Sequence, residues 1–182
     1  MPAPTPNRGY VYATVNDLND VPLVSQRLAD AIDEDVQALN DPIPAGHLSS
    51  GATQNIPGTA WTELAMMGPP TGNDFTRGGL TKNSAGNRLI VPTTGVYMLA
   101  AQANWPTGNT NRRGITLTVN GVAINGIFST IGPPAASGIT AQTVTGLWLL
   151  AAGTEVGVAV FQDTTGTLSV NAGRLQVARV GF

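Results

Sequence analysis

The strongest constraint on the fold is an alternating run in the middle of the chain that leads to an Asn-Gly pair. From Tyr97 to Trp105 every second residue is apolar, which is the period of a strand with one buried face. A second alternating run, residues 115–119, is followed by Asn120 and Gly121 and then by a third apolar run. Asn-Gly between such runs predicts a tight β-hairpin, because both turn residues must take positive φ. We therefore expect an antiparallel all-β domain around this hairpin.

Short apolar runs separated by Gly-containing turns continue to the end of the chain. The alternation changes phase between Val177 and Val180, which predicts a β-bulge there. Eight or more short strands with turns at this spacing are typical of a sandwich or jelly roll. Besides those around the hairpin, the predicted strands are residues 61–67, 88–91, 143–150, 155–162 and 174–182.

Residues 20–40 carry a helical pattern instead, with apolar residues three or four positions apart. Asp20 is a suitable N-cap, and Pro22 lies in the first turn, where its missing amide costs nothing. A helix of this length needs a partner for its apolar stripe. Self-association, docking on the β domain and docking on another protein all remain open. The stripe consists of Val21, Val24, Leu28, Ile32, Val36 and Leu39.

These patterns divide the chain into three segments. Residues 1–41 are expected to form a Pro-rich extended arm and the short helix, residues 42–58 a linker, and residues 59–182 the β domain. The first segment holds seven acidic and two basic residues, whereas residues 42–182 hold four acidic and seven basic ones. This uneven charge favours two parts with different roles.

The composition narrows the class of protein. Only 11% of the residues are charged, against the usual quarter, and this composition favours a surface that is either uncharged or covered by copies of itself. A net charge of −2 gives no argument for a nucleic-acid partner. The chain has no Cys, and we expect neither a signal peptide nor membrane insertion, because the N-terminus lacks an apolar core and no apolar run is long enough. Synthesis in a cytoplasm without secretion is expected.

Residue types that catalyse reactions are scattered along the sequence. His47 is expected to be a solvated linker residue, because no nucleophile elbow accompanies it. Glu155 and Asp163 bracket one predicted strand and are therefore too far apart for the carboxylate pair of a glycosidase. Together with Glu63 and Asp74 they are expected to be ordinary solvated loop acids. The sequence predicts no enzyme activity, no cofactor and no metal site.

The most site-like stretch is residues 105–113. It places an aromatic side chain beside Asn, Thr and Arg, and glycan-binding surfaces use this combination of a stacking plane with hydrogen-bonding groups. Two other interpretations remain open. In the first, Trp105 lies on the same face of the predicted strand as Tyr97 and belongs to the core. In the second, the two Arg side chains form a contact between subunits. The candidate ligand-binding residues are Trp105, Asn109, Asn111, Arg112 and Arg113.

Four pieces in the C-terminal part occur in a recognisable order, namely residues 92–97, 117–121, 147–156 and 173–182. On these pieces, residues 74–182 resemble the globular head of complement component 1q, one of the tumour necrosis factor-like trimeric jelly rolls. The resemblance implies a ten-stranded antiparallel jelly-roll sandwich assembled as a homotrimer. The sequence lacks the collagen-like stalk of that family and shows no calcium-binding carboxylates, so metal binding is not implied.

The N-terminal segment carries a second set of motifs, at residues 8–12, 20–22 and 28–39. They are similar to segments that open virion appendage proteins of tailed bacteriophages, where they attach a trimeric head to the particle. The resemblance implies a virion structural protein, made in the host cytoplasm, that decorates the virion surface and contacts other capsid or tail proteins. The alternative is a tail-fibre or receptor-binding protein whose head binds a host-surface glycan. The implied anchoring residues are Arg8, Tyr10, Tyr12, Val21, Val24, Leu28, Ile32, Val36 and Leu39.

Overall fold

The fold is taken from a computed structural model of the chain. It describes residues 3–4, 11–12, 21–40, 42–66, 74–106, 112–131 and 139–181. Two compact units are present, Met1–Pro42 and Ile43–Phe182. Several residues predicted to anchor the protein or bind a ligand lie outside this description: Arg8, Tyr10, Asn109 and Asn111, together with the side chains of Tyr12, Val21 and Leu39.

The chain forms one helix and a series of strands among the described residues. The elements are β1 (Ala3–Pro4), β2 (Val11–Tyr12), α1 (Val21–Asn40), β3 (Ala45–Ser50), β4 (Gln54–Ile56), β5 (Thr62–Glu63), β6 (Phe75–Arg77), β7 (Thr81–Lys82), β8 (Leu89–Ile90), β9 (Gly95–Trp105), β10 (Arg113–Val119), β11 (Val122–Ile131), β12 (Thr140–Leu150), β13 (Glu155–Gln162), β14 (Leu168–Val170) and β15 (Ala172–Gly181).

The first unit contains a short β1–β2 ladder and helix α1. The helix occupies the predicted range, and its apolar stripe is only partly covered. Val24 is buried and Leu28 is half-buried, whereas Ile32 and Val36 are exposed. In this single chain the C-terminal half of the stripe therefore leaves apolar surface in contact with water.

The second unit is the antiparallel jelly-roll sandwich predicted from the sequence. Sheet I has six strands in the order β11-β10-β13-β8-β7, with β5 also paired to β13. Sheet II has five strands in the order β12-β9-β15-β3-β6. The two sheets together have eleven strands, one more than the ten that were expected. A small ladder of β14 and β4 accompanies the two sheets.

The core lies between sheets I and II and follows the period-two pattern of the long strands. In β9 the side chains from Tyr97 to Trp105 alternate between buried and less buried positions. The predicted hairpin is also confirmed: Asn120 and Gly121 have φ values of 50° and 80° between β10 and β11. The predicted bulge near the C-terminus appears as a register shift between Arg179 and Gly181.

The segment predicted as a linker, residues 42–58, instead contains two strands. Strand β3 pairs with β15 and β6 inside sheet II, and β4 pairs with β14. Leu48 and Ile56 are fully buried, and His47 lies on β3 opposite Gln176 rather than in a solvated loop. Backbone pairing with β15 holds this segment, and its small Gly, Ser and Ala side chains give no local signal of that distant partner.

Candidate functional site

A groove of about 400 Å³ lies on the outer face of sheet I, a volume within the usual range for ligand pockets. Aromatic rings form much of its wall, and polar side chains alternate with them. Trp61 is 44% exposed and Phe128 is 58% exposed. The residues that give the groove its chemistry are Trp61, Arg112, Asn125, Phe128, Thr130 and Phe161.

The register of three strands brings these residues together. Gly114 on β10 lies between Thr130 on β11 and Phe161 on β13. A Cβ atom on Gly114 would lie only 2.9 Å from Cη2 of Trp61, so the glycine lets the indole approach the sheet. The Trp61 and Phe161 rings are 5.5 Å apart at an angle of 40°, which is the tilted arrangement that aromatic pairs prefer.

A bulge in β11 shapes the opposite wall of the groove. Thr116 pairs with Phe128, but Thr118 pairs with Ala123, so β11 has extra residues at this point. Gly126 has a φ of 86° within the bulge, a conformation that glycine adopts readily. The bulge carries Asn125 to the rim, and its exposed amide faces solvent beside the aromatic rings.

Arg112 supplies the positive group of the groove. Its Nε donates to Oδ2 of Asp163 at 2.9 Å, and the side chain is exposed. This contact fixes one edge of the guanidinium, while among the described residues the terminal amino groups have no protein acceptor. The ion pair keeps the groove close to electrical neutrality and leaves donors available for a ligand.

The other described members of the predicted ligand-binding loop are core residues. Trp105 is fully buried, and its Nε1 donates to Oε1 of Gln142 at 3.1 Å. Arg113 is also fully buried, with its guanidinium carbon 5.5 Å from the centroid of Trp105 and its Nη1 donating to the carbonyl of Pro106 at 2.9 Å. Only Arg112 of these three lines the groove. Neither Trp105 nor Arg113 is therefore available to a glycan.

The buried position of Arg113 has an electrostatic consequence. Burial lowers the pKa of this guanidinium, because water no longer solvates its charge. Among the described residues no carboxylate forms an ion pair with Arg113. The indole face of Trp105 lies within the distance of a cation–π contact and offsets part of this desolvation.

Three charged residues on sheet I form a cluster that the sequence does not reveal. Nη2 of Arg88 donates to Oε2 of Glu63 at 2.7 Å and its Nη1 to Oε2 of Glu155 at 2.8 Å. The hydrogen bond with Glu63, followed by that with Glu155, raises the pKa of Arg88. The two glutamates are therefore partners of one arginine rather than the solvated loop acids expected. Both carboxylates neutralise the same cation, so the cluster is a clamp that joins β5, β13 and the residue just before β8.

The outward face of sheet II is partly apolar, and its charged side chains include the exposed Arg77 and Arg174. Leu147, Met98 and Ala178 pair side by side across β12, β9 and β15. Leu147 is 62% exposed and Met98 is 49% exposed, and Leu149 beyond them is 67% exposed. The five strands of this sheet contain no Asp or Glu. A face of this kind is more typical of a protein contact than of free surface.

No group of three or more His, Asp or Glu side chains is placed to hold a metal ion within the described residues. The described part of the chain also holds no helix with the length and apolarity needed to cross a membrane.

The two-sheet topology is that of an antiparallel jelly roll. A comparison with solved structures supports this fold: the chain is similar to the structure of Eiger TNF from S. frugiperda, with a TM-score of 0.52. The sequences are 14% identical, and the match covers 77% of this chain and 94% of the other. A scan against models of protein families and a search of curated proteins found no match. The likeness confirms the fold expected from the resemblance to complement component 1q.

Proposed function

We propose that the protein is a non-enzymatic, trimeric structural component of a tailed-bacteriophage virion. Its jelly-roll head projects from the particle, and its N-terminal segment attaches the head to other virion proteins. The observation that carries this proposal is the outward face of sheet II, where apolar side chains are exposed and carboxylates are absent from all five strands.

The arrangement of residues on that face favours association of identical chains. The row that begins at Leu147 continues through Met98 to Ala178 on β15. Large apolar side chains thus lie on β12 and β9, and a small one lies on β15. When the large side chains on the edge strand of one copy pack on the small side chain at the centre of the sheet in the next copy, the contact is heterologous. Such a contact closes into a ring of three copies when each copy is rotated by one third of a turn relative to its neighbour. Each buried Å² of apolar surface contributes about 25 cal/mol.

The first unit supports the attachment role. Ile32 and Val36 are exposed on the apolar stripe of α1, and a helix with such an uncovered stripe gains stability from a partner. On the resemblance of the N-terminal motifs to phage appendage proteins, the proposed partner is a capsid or tail protein.

Sedimentation equilibrium of the full chain tests the assembly. We expect a mass about three times the 18.7 kDa of one chain. Met98→Glu and Leu147→Glu place charges in the row and should give folded monomers. Val122→Glu is the matched control, because Val122 is 70% exposed but lies in the hairpin of sheet I; this variant should remain trimeric. A monomeric wild-type protein would refute the assembly.

Location on a particle tests the virion role. Mass spectrometry of purified phage should detect the chain, and antibody labelling should place it on the outside. Its absence from particles made by the phage that encodes it would refute this part of the proposal, whatever the oligomeric state.

A further inference from the structure

The aromatic side chains of the groove on sheet I are exposed at an energetic cost. Trp61 and Phe128 together present large apolar surfaces to water in one concave site, and such clustered exposure marks a binding site more often than chance. The indole lies over Gly114 and is flanked by the Phe161 ring at 5.5 Å. The stacking plane is thus formed before any ligand arrives, which reduces the entropy lost on binding.

The polar lining narrows the class of ligand. Arg112, Asn125 and Thr130 surround the rings with donors and acceptors. A purely apolar ligand would leave these groups without partners, which is costly in a closed contact. A strongly anionic ligand is also disfavoured, because Asp163 already neutralises Arg112. The best-matched ligand has an apolar face to stack on a ring and hydroxyl groups along its edge.

We propose that this groove binds a pyranose sugar of a surface saccharide. The C–H face of the sugar stacks on Trp61 or Phe128, and its hydroxyl groups bond to Arg112, Asn125 and Thr130. The volume of about 400 Å³ accommodates a short saccharide. The lining residues lie on or beside sheet I, whereas the proposed trimer contact uses the outward face of sheet II.

Titration of the full-length protein with defined sugars tests the site. The probes are the methyl glycosides of glucose, galactose and N-acetylglucosamine, with glycerol as a control that has hydroxyl groups but no ring. Binding is followed by tryptophan fluorescence and by ligand-observed NMR. We expect at least one glycoside to bind saturably with a Kd on the order of 1 mM, because a single small ring offers few contacts. Glycerol should not bind.

Two variants at exposed positions of the groove, Phe128 and Asn125, and one at the buried Gly114 locate the binding. Phe128→Ala and Asn125→Ala should each weaken binding at least tenfold while the thermal transition is retained. Gly114→Ala should do the same by displacing Trp61, since the new Cβ would lie 2.9 Å from the indole. Val122→Ala is the control, because Val122 is exposed outside the groove, and it should bind as the wild type does.

Four results would each overturn the proposal. The first is that no glycoside binds saturably, and the second is that glycerol binds as tightly as the best glycoside. The third is that glycoside binding is unchanged in both Phe128→Ala and Asn125→Ala. The fourth is that Val122→Ala weakens glycoside binding as much as those two variants do. A Met98→Glu monomer that still binds the glycoside would separate this site from the assembly surface.

Discussion

The amide of Gln142 joins the two sheets at one end of the sandwich. Its Oε1 accepts from Trp105 on the neighbouring strand of sheet II, and its Nε2 donates to the carbonyls of Ser129 at 2.6 Å and Arg113 at 3.3 Å on sheet I. The parity of Trp105 made a core position foreseeable from the sequence. The hydrogen-bond partners of Gln142 could not be predicted from the sequence, because they depend on pairing between strands that are distant in the sequence.

Replacement of this amide should destabilise the fold. Gln142→Leu leaves the Trp105 Nε1–H and two carbonyls without their partner in a buried site, and we expect a loss of about 2 to 3 kcal/mol in the free energy of unfolding. Urea denaturation measures it. Gln26→Leu, the same replacement at an exposed helix position, should change stability by less than about 0.5 kcal/mol. Equal effects in the two variants would contradict the bridging role.

The clamp at Arg88 should be weaker than a fully buried ion pair but stronger than a surface one. Arg88→Met leaves Glu63 and Glu155 beside each other without their cation, and all three side chains are partly buried. We expect a loss of about 1 to 2 kcal/mol in unfolding free energy. Arg112→Met, which removes the exposed pair with Asp163, should cost less than about 1 kcal/mol. A larger loss in Arg112→Met would contradict this ranking.

At the scale of elements, local signals predicted some strands and missed others. Strand β9 and the β10–β11 hairpin follow from alternation and from Asn-Gly, both of which are properties of neighbouring residues. Strand β3 could not be predicted, since its small and polar residues form a strand only because β15 and β6 lie on either side. The groove was missed for the same reason: its residues come from β10, β11 and β13 and from the positions just before β5 and β10, and only Arg112 fell in the predicted stretch.

The hairpin turn offers a test at this scale. Gly121 has a φ of 80°, and a Cβ there would lie 2.9 Å from Nη2 of Arg88. Gly121→Ala should lower the unfolding free energy by about 1 to 2 kcal/mol, because an L-side chain is strained in this conformation. In Gly166→Ala the new Cβ meets no atom within 4 Å, and stability should stay within about 0.5 kcal/mol. Thermal unfolding compares the two, and an unaffected Gly121→Ala would show that the turn relaxes freely.

For the whole molecule, the two sheets present faces of different character. Sheet II exposes apolar side chains, and its five strands contain no Asp or Glu, whereas sheet I carries the charged clamp and the groove. Fold class followed from the sequence because the number and spacing of strands restrict the possible architectures. The role of each outer face could not be predicted from the sequence, because the alternation of apolar residues shows only which side chains point into the core. In the proposals above, the outer face of sheet II serves assembly and the outer face of sheet I serves ligand recognition.

Removal of residues 1–42 separates assembly from attachment. The row on sheet II that begins at Leu147 lies in the compact unit Ile43–Phe182, as does the hydrophobic core. The shortened protein should therefore remain a folded trimer with little change in its thermal transition. It should no longer cosediment with particles that lack the native protein, because the arm and helix are gone. In the full chain, Ile32→Asp with Val36→Asp should also abolish attachment and preserve the trimer, since both residues are exposed. A monomeric shortened protein would mean that the helix, and not sheet II, holds the chains together.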